Sequence, residues 1–263
     1  MNLNKLIFTE NACYKAGRKI TVKGIMVHST GANNPWLKRY VGPDDGKLGK
    51  NQYNNHWNTY HPGGREVCVH GFIGKLADGS VATYQTLPWE HRGWHAGGSA
   101  NDTHIGFEIC EDGLSDKTYF NKVYTEAVEL CAYLCKQYGL TEQNIICHCE
   151  GYKKGIASNH GDVMHWFPKH GKSMDTFRAD VKALLSGGTS EPSTKPDTST
   201  AIKAGDLVKI TGTKYYGGQT IPGWVKNQNW YVQEVSGERA VINKNESGTN
   251  AIMSPVRVSE LAP

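Results

Sequence analysis

A stretch without any large apolar side chain, from Gly187 to Thr200, constrains the fold of this chain more than any other feature. It contains Gly, Ser, Thr, Pro and charged residues, and such a composition buries too little apolar surface to offset the entropy of ordering it. We therefore expect one domain over residues 1–186, a flexible linker over 187–201 and a second domain over 202–263. All eleven histidines precede this stretch, so histidine-based chemistry is expected in the first domain.

The charge and hydropathy of the chain argue against nucleic acid and membranes as partners. The formal net charge is +4 at pH 7, but no run of Lys and Arg typical of nucleic-acid-binding tails is present. No stretch approaches the roughly 20 apolar residues of a membrane helix, and the first residues lack the apolar stretch of a signal peptide. We therefore expect synthesis in the cytoplasm without membrane insertion, and the sequence leaves the oligomeric state open.

The cysteine content predicts reduced thiols. The chain has seven cysteines, the last of them Cys149, and no paired CxxC framework. Small secreted domains stapled by disulfides have an even number of cysteines at regular spacings. A disulfide scaffold is therefore not expected.

The first domain alternates strand and helix patterns. Runs of β-branched and apolar residues predict strands over residues 20–28, 67–73, 80–84, 105–110 and 144–149. A helix is predicted from Lys122 to Tyr138, where apolar residues recur at helical spacing and Gly139 supplies the stop. Another helix is predicted after Ser173, a suitable N-cap. This alternation predicts an α/β fold, with a mixed β-sheet flanked by helices.

The second domain has the pattern of a small all-β fold. Short strands are predicted over residues 206–211, 230–235 and 240–242, with a closing strand over 257–259. Gly-rich turns separate these strands, and no helical period appears. The sequence therefore predicts a small β-barrel that depends on good core packing, because it has no disulfide.

Two histidines and one glutamate stand out in the first domain. His28 ends an apolar run, Glu108 lies inside another, and His148 lies in Ile145-Ile146-Cys147-His148-Cys149. Imidazole and carboxylate groups bind zinc, and a buried glutamate can act as a general base. A structural role for His28 and a buried salt bridge for Glu108 remain alternatives.

The thiols beside His148 are expected to be structural. In a strand, successive side chains point to opposite faces, so Cys147 and Cys149 would lie on the face opposite His148. They could then hardly share a metal with His148. We interpret them as small buried hydrophobic residues.

Four motifs follow one another in the first domain. They are Val27-His28-Ser29-Thr30, Val69-His70-Gly71-Phe72-Ile73 with Asp78-Gly79-Ser80-Val81, Asn101-Asp102-Thr103-His104-Ile105-Gly106-Phe107-Glu108, and His148 followed by His160-Gly161-Asp162. Together they resemble the zinc-dependent N-acetylmuramoyl-L-alanine amidases of type 2, a family that includes phage lysozyme-type amidases and peptidoglycan recognition proteins. Ordered motifs are more specific than isolated ones. The resemblance covers most of residues 20–185.

The resemblance implies a zinc site with three protein ligands. The matching positions are His28, His148 and Asp162, and zinc is the implied cofactor. The loop after His148 is longer than is usual in the family. His160 or His165 could therefore replace Asp162 as the third ligand.

The resemblance also implies catalytic and substrate-binding residues. Glu108 would activate the water that attacks the amide between muramic acid and L-alanine. His160 stands where the family commonly has lysine, and would stabilise the oxyanion. His95 resembles a family histidine beside the substrate cleft. Val69 occupies the position where relatives often carry a catalytic tyrosine, so no tyrosine role is assigned.

The second domain resembles bacterial SH3-like domains that bind cell walls. The resemblance rests on Lys214-Tyr215-Tyr216-Gly217-Gly218 and on Trp224-Val225-Lys226-Asn227 before Trp230. It implies substrate binding by Tyr215, Tyr216 and Trp224, since aromatic rings stack on sugars and peptides. A place in the barrel core is the alternative for these rings.

The function implied is that of a phage or prophage endolysin, with bacterial peptidoglycan as its substrate. It would reach the wall after another factor opens the membrane. A host autolysin, a recognition module that binds muropeptides without cutting them, and a zinc peptidase of the stem peptide remain alternatives. No His-Glu-x-x-His motif is present, which excludes one common peptidase class.

Overall fold

The chain divides into two compact units. The computed structural model describes residues 1–186, 202, 204–216, 218–236, 239–244 and 255–262. Its units are Met1–Ser193 and Thr194–Pro263. The predicted linker over 187–201 lies outside the described residues. Among the described residues, no helix is long and apolar enough to cross a bilayer.

The first unit is an α/β fold built on a mixed sheet. Its six strands are β1 Leu3–Lys5, β2 Gly24–Asn33, β3 Gly71–Lys75, β4 Val81–Gln85, β5 His104–Glu111 and β6 Ile145–Cys147. Its α-helices are α1 Ala12–Ala16, α2 Lys117–Tyr138, α3 His148–Lys153 and α4 Met174–Leu185. The strand order is β1-β4-β3-β5-β2-β6, with β3 and β4 antiparallel and the other neighbours parallel. The predicted mixed sheet flanked by helices is confirmed.

The central strands β2 and β5 fix the position of the candidate site. Ile25, Met26 and Val27 are fully buried, as expected for a parallel strand covered on both faces. The register pairs Val27 with Phe107 and His28 with Glu108. A histidine and a glutamate far apart in the sequence therefore lie side by side in adjacent strands.

The helices begin and end at residues that cap their free backbone groups. α2 begins after Asp116, whose carboxylate accepts a hydrogen bond from the N–H of Tyr119, and ends at Gly139 with positive φ. The predicted end at Tyr138 is confirmed, but the predicted start at Lys122 is too late. The apolar spacing begins at Val123 and does not reveal the capped first turn. The predicted N-cap at Ser173 is confirmed.

The strand predicted over residues 144–149 is too long. β6 ends at Cys147, and His148 begins α3. The carboxylate of Glu150 accepts a hydrogen bond from the N–H of Cys147 at 3.1 Å, which caps the new helix. Strand alternation therefore does not apply to Cys149, whose sulfur lies 3.3 Å from that of Cys147. All seven cysteines are free, as predicted.

Aromatic packing anchors the segment that carries Asp162. Trp166 and Phe167 are fully buried in the core between the sheet and the helices. Phe120 of α2 meets these two rings edge to face, at centroid distances of 5.3 and 5.6 Å. Such pairs contribute about 0.5–1.5 kcal/mol each beyond their burial. The position of Asp162 is thereby tied to the rigid part of the unit.

The second unit contains a five-stranded antiparallel sheet in the order β10-β9-β8-β7-β11. Its elements are β7 Leu207–Ile210, α5 Gly223–Lys226, β8 Asn229–Ser236, β9 Arg239–Asn243, β10 Val256–Arg257 and β11 Leu261–Ala262. The closing strand predicted over 257–259 is wrong, because a 3-10 turn, Val258–Glu260, separates β10 from β11. The short helix α5 was not predicted. This sheet by itself does not establish an SH3-like barrel, which stays a prediction.

The cap of α4 provides a test of the fold. Ser173 Oγ accepts a hydrogen bond from the N–H of Thr176 at 3.2 Å. We expect Ser173→Ala to lower the free energy of unfolding by about 1 kcal/mol, because that N–H loses its partner. Urea unfolding measures the change. Ser173→Asp keeps an acceptor and should retain most of the stability, so an equal loss in both variants would contradict the capping role.

Candidate metal centre

One cleft of the first unit brings most of the predicted site residues together. Its volume is about 800 Å³. The predicted residues in its lining are His28, His95, Glu108, His148, His160, Asp162 and His165. β2 carries His28, β5 carries Glu108, and α3 begins at His148. The segment after α3 carries the other three residues, which are His160, Asp162 and His165.

Three of these side chains direct ligand atoms at one another. His28 Nδ1 lies 3.1 Å from His148 Nδ1 and 3.0 Å from Asp162 Oδ2. His148 Nδ1 lies 3.7 Å from the same oxygen. Ligand atoms about 2.0–2.1 Å from a tetrahedral zinc ion are about 3.3 Å apart. The cluster therefore has donor types and spacings that could hold zinc.

Hydrogen bonds determine which nitrogen of His28 is available for a cation. His95 Nε2 lies 3.2 Å from the carbonyl oxygen of His104, which can only accept. A neutral His95 therefore carries its proton on Nε2, and its Nδ1 accepts from Nε2–H of His28 at 3.0 Å. In a neutral His28 this bond leaves Nδ1, the atom that faces His148 and Asp162, available to a cation.

A similar arrangement prepares His148. The hydroxyl of Ser158 donates to the carbonyl oxygen of Ala96 at 3.2 Å. Its oxygen can then accept from Nε2–H of His148, which lies 3.2 Å away. This bond leaves His148 Nδ1 as the acceptor nitrogen that faces the cluster. In their neutral forms, both histidines would therefore present Nδ1 to a cation.

Burial sets the charge states of the cluster. It lowers the pKa of His28, although the carboxylate of Asp162 opposes this shift. Burial, together with the charges of His28 and His70, lowers the pKa of His95 well below its ordinary value. Burial alone would raise the pKa of Asp162, but hydrogen bonds from His148 and His28, which these imidazoles donate when their Nδ1 atoms carry protons, hold it well below its usual range. A divalent cation that displaces these protons would meet two imidazole nitrogens and one carboxylate, which are donors that suit it.

Glu108 is the second carboxylate of the cleft. Its Oε2 is buried and has no hydrogen-bond partner among the described residues. Burial raises the pKa of Glu108 well above its usual value, and the carboxylates of Asp162 and Glu111 raise it further. None of the ion pairs formed within the described residues includes Glu108, which disfavours the alternative of a buried salt bridge. A group so placed is suited to proton transfer.

The geometry favours Asp162 over the two alternative third ligands. His165 Nε2 lies 2.8 Å from the buried carboxylate of Glu111, away from the cluster. His160 Nδ1 lies 3.0 Å from Ser158 Oγ, and its exposed ring packs 4.5 Å from that of His148. His160 therefore lies beside the cluster and does not direct a ring nitrogen into it.

The sequence did not reveal the residues that hold the ligands in place. Ser158 and Asn101 were not singled out, although Asn101 Oδ1 accepts from the N–H groups of His95 and Ala96 at 2.9 and 2.8 Å. His95 was expected beside the substrate. His95 does line the cleft, and its ring nitrogens contact His28 and His104, so its observed contacts orient His28 while its role toward a substrate stays a prediction.

The predicted aromatic residues of the second unit differ in exposure. Trp224 is 61% exposed and Tyr216 is 43% exposed, whereas Tyr215 is only 8% exposed and packs in the core. The ring of Tyr215 is therefore not available for stacking on a ligand, and its assignment to substrate binding is corrected. Tyr216 and Trp224 remain as candidates.

Two curated proteins are similar in sequence to parts of this chain. A probable N-acetylmuramoyl-L-alanine amidase of Bacillus licheniformis is 31% identical over 111 residues, which are 42% of this chain and 29% of that protein. The N-acetylmuramoyl-L-alanine amidase XlyA of Bacillus subtilis strain 168 is 38% identical over 68 residues, 25% of this chain and 22% of XlyA. The chain thus spans less than a third of the length of these relatives.

A solved structure has a similar fold. The crystal structure of the Staphylococcus aureus hydrolase AmiA with its ligand superposes with a TM-score of 0.51 at 18% identity, over 72% of this chain and 87% of that one. This likeness concerns the fold alone.

The fold and the cluster define an α/β domain with a candidate metal centre. The family model for N-acetylmuramoyl-L-alanine amidase matches residues 17–166, which is more than half of the chain. The matched range includes His28, Glu108, His148 and Asp162. The chain therefore belongs to the N-acetylmuramoyl-L-alanine amidase family.

A glycine in β5 makes room for the support of His28. A Cβ atom at Gly106 would lie 2.4 Å from His95 Nδ1, the atom that accepts from His28. We expect Gly106→Ala to lower the free energy of unfolding by about 1–3 kcal/mol through overpacking. It should also weaken zinc binding, because the displaced His95 no longer orients His28.

Urea unfolding and zinc titration calorimetry measure these two effects. Gly223→Ala is the matched control, since a Cβ atom there meets nothing within 4 Å. Unchanged zinc affinity in Gly106→Ala would show that His95 does not support the centre.

Proposed function

We propose that the first unit is a zinc-dependent amidase that cleaves the bond between N-acetylmuramic acid and L-alanine in peptidoglycan. The observation that carries this proposal is the cluster of His28, His148 and Asp162, with its two bare imidazole nitrogens, beside the unpartnered carboxylate of Glu108. Membership of the amidase family supports it. The relatives in Bacillus licheniformis and Bacillus subtilis carry the same activity in their names.

The residues of the cleft would divide the reaction between them. Zinc held by His28, His148 and Asp162 would polarise the scissile carbonyl and make water a nucleophile at neutral pH. Glu108 would take the proton from the attacking water and return it to the leaving amine. His160 would donate an N–H group to the oxyanion of the tetrahedral intermediate.

We further propose that the chain acts as an endolysin whose second unit is an SH3-like wall-binding domain. The exposed rings of Tyr216 and Trp224 support wall binding, since such rings stack on sugars and peptides. A weak wall binder on the same chain raises the effective concentration of substrate at the catalytic cleft. A host autolysin with the same reaction is the alternative.

Digestion of purified peptidoglycan tests the reaction. We expect the zinc-loaded protein to release free L-alanine amino termini, and a chelated sample to release none. Glu108→Gln should keep zinc but lose about 10²–10⁴-fold in rate, because it lacks the general base. End-group analysis and metal content are the measurements.

Glu10→Gln serves as the control for a lost carboxylate, since Glu10 is exposed and outside the cleft. Full activity in Glu108→Gln would remove Glu108 from the mechanism. Metal-bound protein that produces no new end groups would favour a recognition module. New end groups within the stem peptide would favour a peptidase. New reducing sugars would refute amide cleavage.

The role of the second unit is tested with intact walls and soluble fragments. We expect Tyr216→Ala and Trp224→Ala to slow the lysis of intact walls several-fold and to leave cleavage of a soluble muropeptide unchanged, because only wall binding is lost. Tyr53→Ala is the control, since Tyr53 is a 75% exposed ring of the first unit. An equal loss on both substrates would contradict a targeting role.

A further inference from the structure

Two thiols flank His148, one of the residues of the metal cluster. The sulfur atoms of Cys147 and Cys149 lie 3.3 Å apart, within hydrogen-bond distance for two thiols. Both are free, and neither belongs to the cluster or to the lining of the cleft. Cys147 is fully buried, whereas Cys149 is half-buried in the first turn of α3. The proposed amidase function gives this pair of thiols no role.

The change from strand to helix at His148 brings the two thiols within disulfide range. β6 ends at Cys147 and α3 begins at His148, so the residue between the two cysteines is helical. Residues on either side of a helical residue have Cα atoms about 5.4 Å apart. Disulfides join Cα atoms that are about 4.4–6.8 Å apart. The backbone therefore already has a separation that a disulfide requires.

The backbone on both sides of His148 is held in place. Cys147 ends a strand that pairs with β2. The carboxylate of Glu150 accepts a hydrogen bond from the N–H of Cys147 at 3.1 Å, and two 3.0 Å bonds from Arg178 hold that carboxylate. A disulfide shortens the sulfur–sulfur distance from 3.3 Å to about 2.05 Å. Because the flanking groups are fixed, this closure displaces His148.

His148 tolerates little displacement as a metal ligand. Its Nδ1 lies 3.1 Å from Nδ1 of His28, and its Nε2 lies 3.2 Å from Ser158 Oγ. Zinc–nitrogen distances stay within about 0.2 Å of 2.0–2.1 Å. Loss of the contacts that orient a ligand weakens metal binding about 10–100-fold. A disulfide around His148 would therefore weaken zinc binding.

We propose that Cys147 and Cys149 form a redox pair that peroxides oxidise to a disulfide, and that this disulfide withdraws His148 from the metal cluster. This inference rests on the zinc centre of the proposed function. A dithiol reductant returns both sulfur atoms to thiols and His148 to the cluster.

Hydrogen peroxide accepts the two electrons that the thiols lose. The half-buried sulfur of Cys149 attacks one peroxide oxygen, so that an S–O bond forms, the O–O bond breaks, and hydroxide leaves and takes the thiol proton. The sulfur of Cys147 then attacks that of Cys149, so that the S–S bond forms, the S–O bond breaks, and hydroxide leaves with the second thiol proton. Two thiols and one peroxide become one disulfide and two waters.

Mass spectrometry of one tryptic peptide tests the oxidation. Cleavage after Lys136 and Lys153 gives a peptide that contains Cys147 and Cys149 and no other cysteine. We treat the full chain with hydrogen peroxide before adding zinc, and then alkylate the remaining thiols. We expect this peptide to be lighter by two hydrogen atoms and free of alkyl groups, and dithiothreitol before alkylation to restore two alkylated thiols. A peptide alkylated at both sulfurs after peroxide, or oxidised irreversibly to sulfinic acid, overturns the proposal.

Zinc titration calorimetry, after the reagents are removed, tests the effect on the cluster. We expect the oxidised parent chain to bind zinc about 10–100-fold more weakly than the reduced one. Cys149→Ser cannot form the disulfide, so peroxide should leave its zinc affinity unchanged, and Cys147→Ala is a second variant with the same expectation.

Cys13→Ser is the matched control, because Cys13 is the other half-buried cysteine. Peroxide should weaken zinc binding by this variant as much as by the parent chain. An oxidised parent with unchanged zinc affinity overturns the proposal. So does an equal loss of affinity in Cys149→Ser and Cys13→Ser.

Peptidoglycan digestion by the reduced chain separates this inference from the proposed function. Zinc binding that depends on the state of the two thiols, in a chain that releases no L-alanine termini, supports the redox pair and refutes the amidase. Release of these termini with zinc binding that is independent of the thiols supports the amidase and refutes the redox pair. A reduced parent chain that binds no zinc refutes both.

Discussion

The parallel pairing of β2 with β5 is the constraint on which the rest of the site depends. Its register sets His28 beside Glu108 in the middle of a sheet that is buried on both faces. A shift of one residue in either strand would turn its polar side chain, His28 or Glu108, to the opposite face. The apolar residues before each of them prevent such a shift, because they fill the core. The candidate chemistry therefore rests on ordinary hydrophobic packing.

Burial of the histidines around the cluster is tolerated because hydrogen bonds join them to defined partners. His104, His95 and His28 form one hydrogen-bonded series, and Ala96, Ser158 and His148 form another. Each series begins at a carbonyl oxygen, which can only accept, and in neutral histidines it ends at an imidazole nitrogen without a proton. The carboxylate of Asp162 lies between the two free nitrogens. Neutral histidines and one anion in a buried cluster leave a negative site that a divalent cation would stabilise.

The outcome for individual elements shows where sequence patterns are informative. The end of α2 and the start of α4 were predicted to the residue, because Gly139 and Ser173 are local signals that act on the adjacent backbone. The strand predicted through His148 was too long, because apolar residues continue across the change from strand to helix. Tyr215 and Tyr216 are neighbours of the same type, yet one is buried and the other is exposed. Only the packing of the second unit separates them.

The sequence by itself determined the α/β class of the first unit, the free thiols and the set of residues from which a metal centre could form. Local spacing and composition carry that information. Tertiary structure alone decided that Asp162 contacts His28 whereas His165 contacts Glu111, and that His95 contacts His28. These facts depend on contacts between residues far apart in the chain, such as the 3.0 Å approach of His28 and Asp162. A single sequence does not encode such distances in any local pattern, since they arise only when the sheet and its loops pack together.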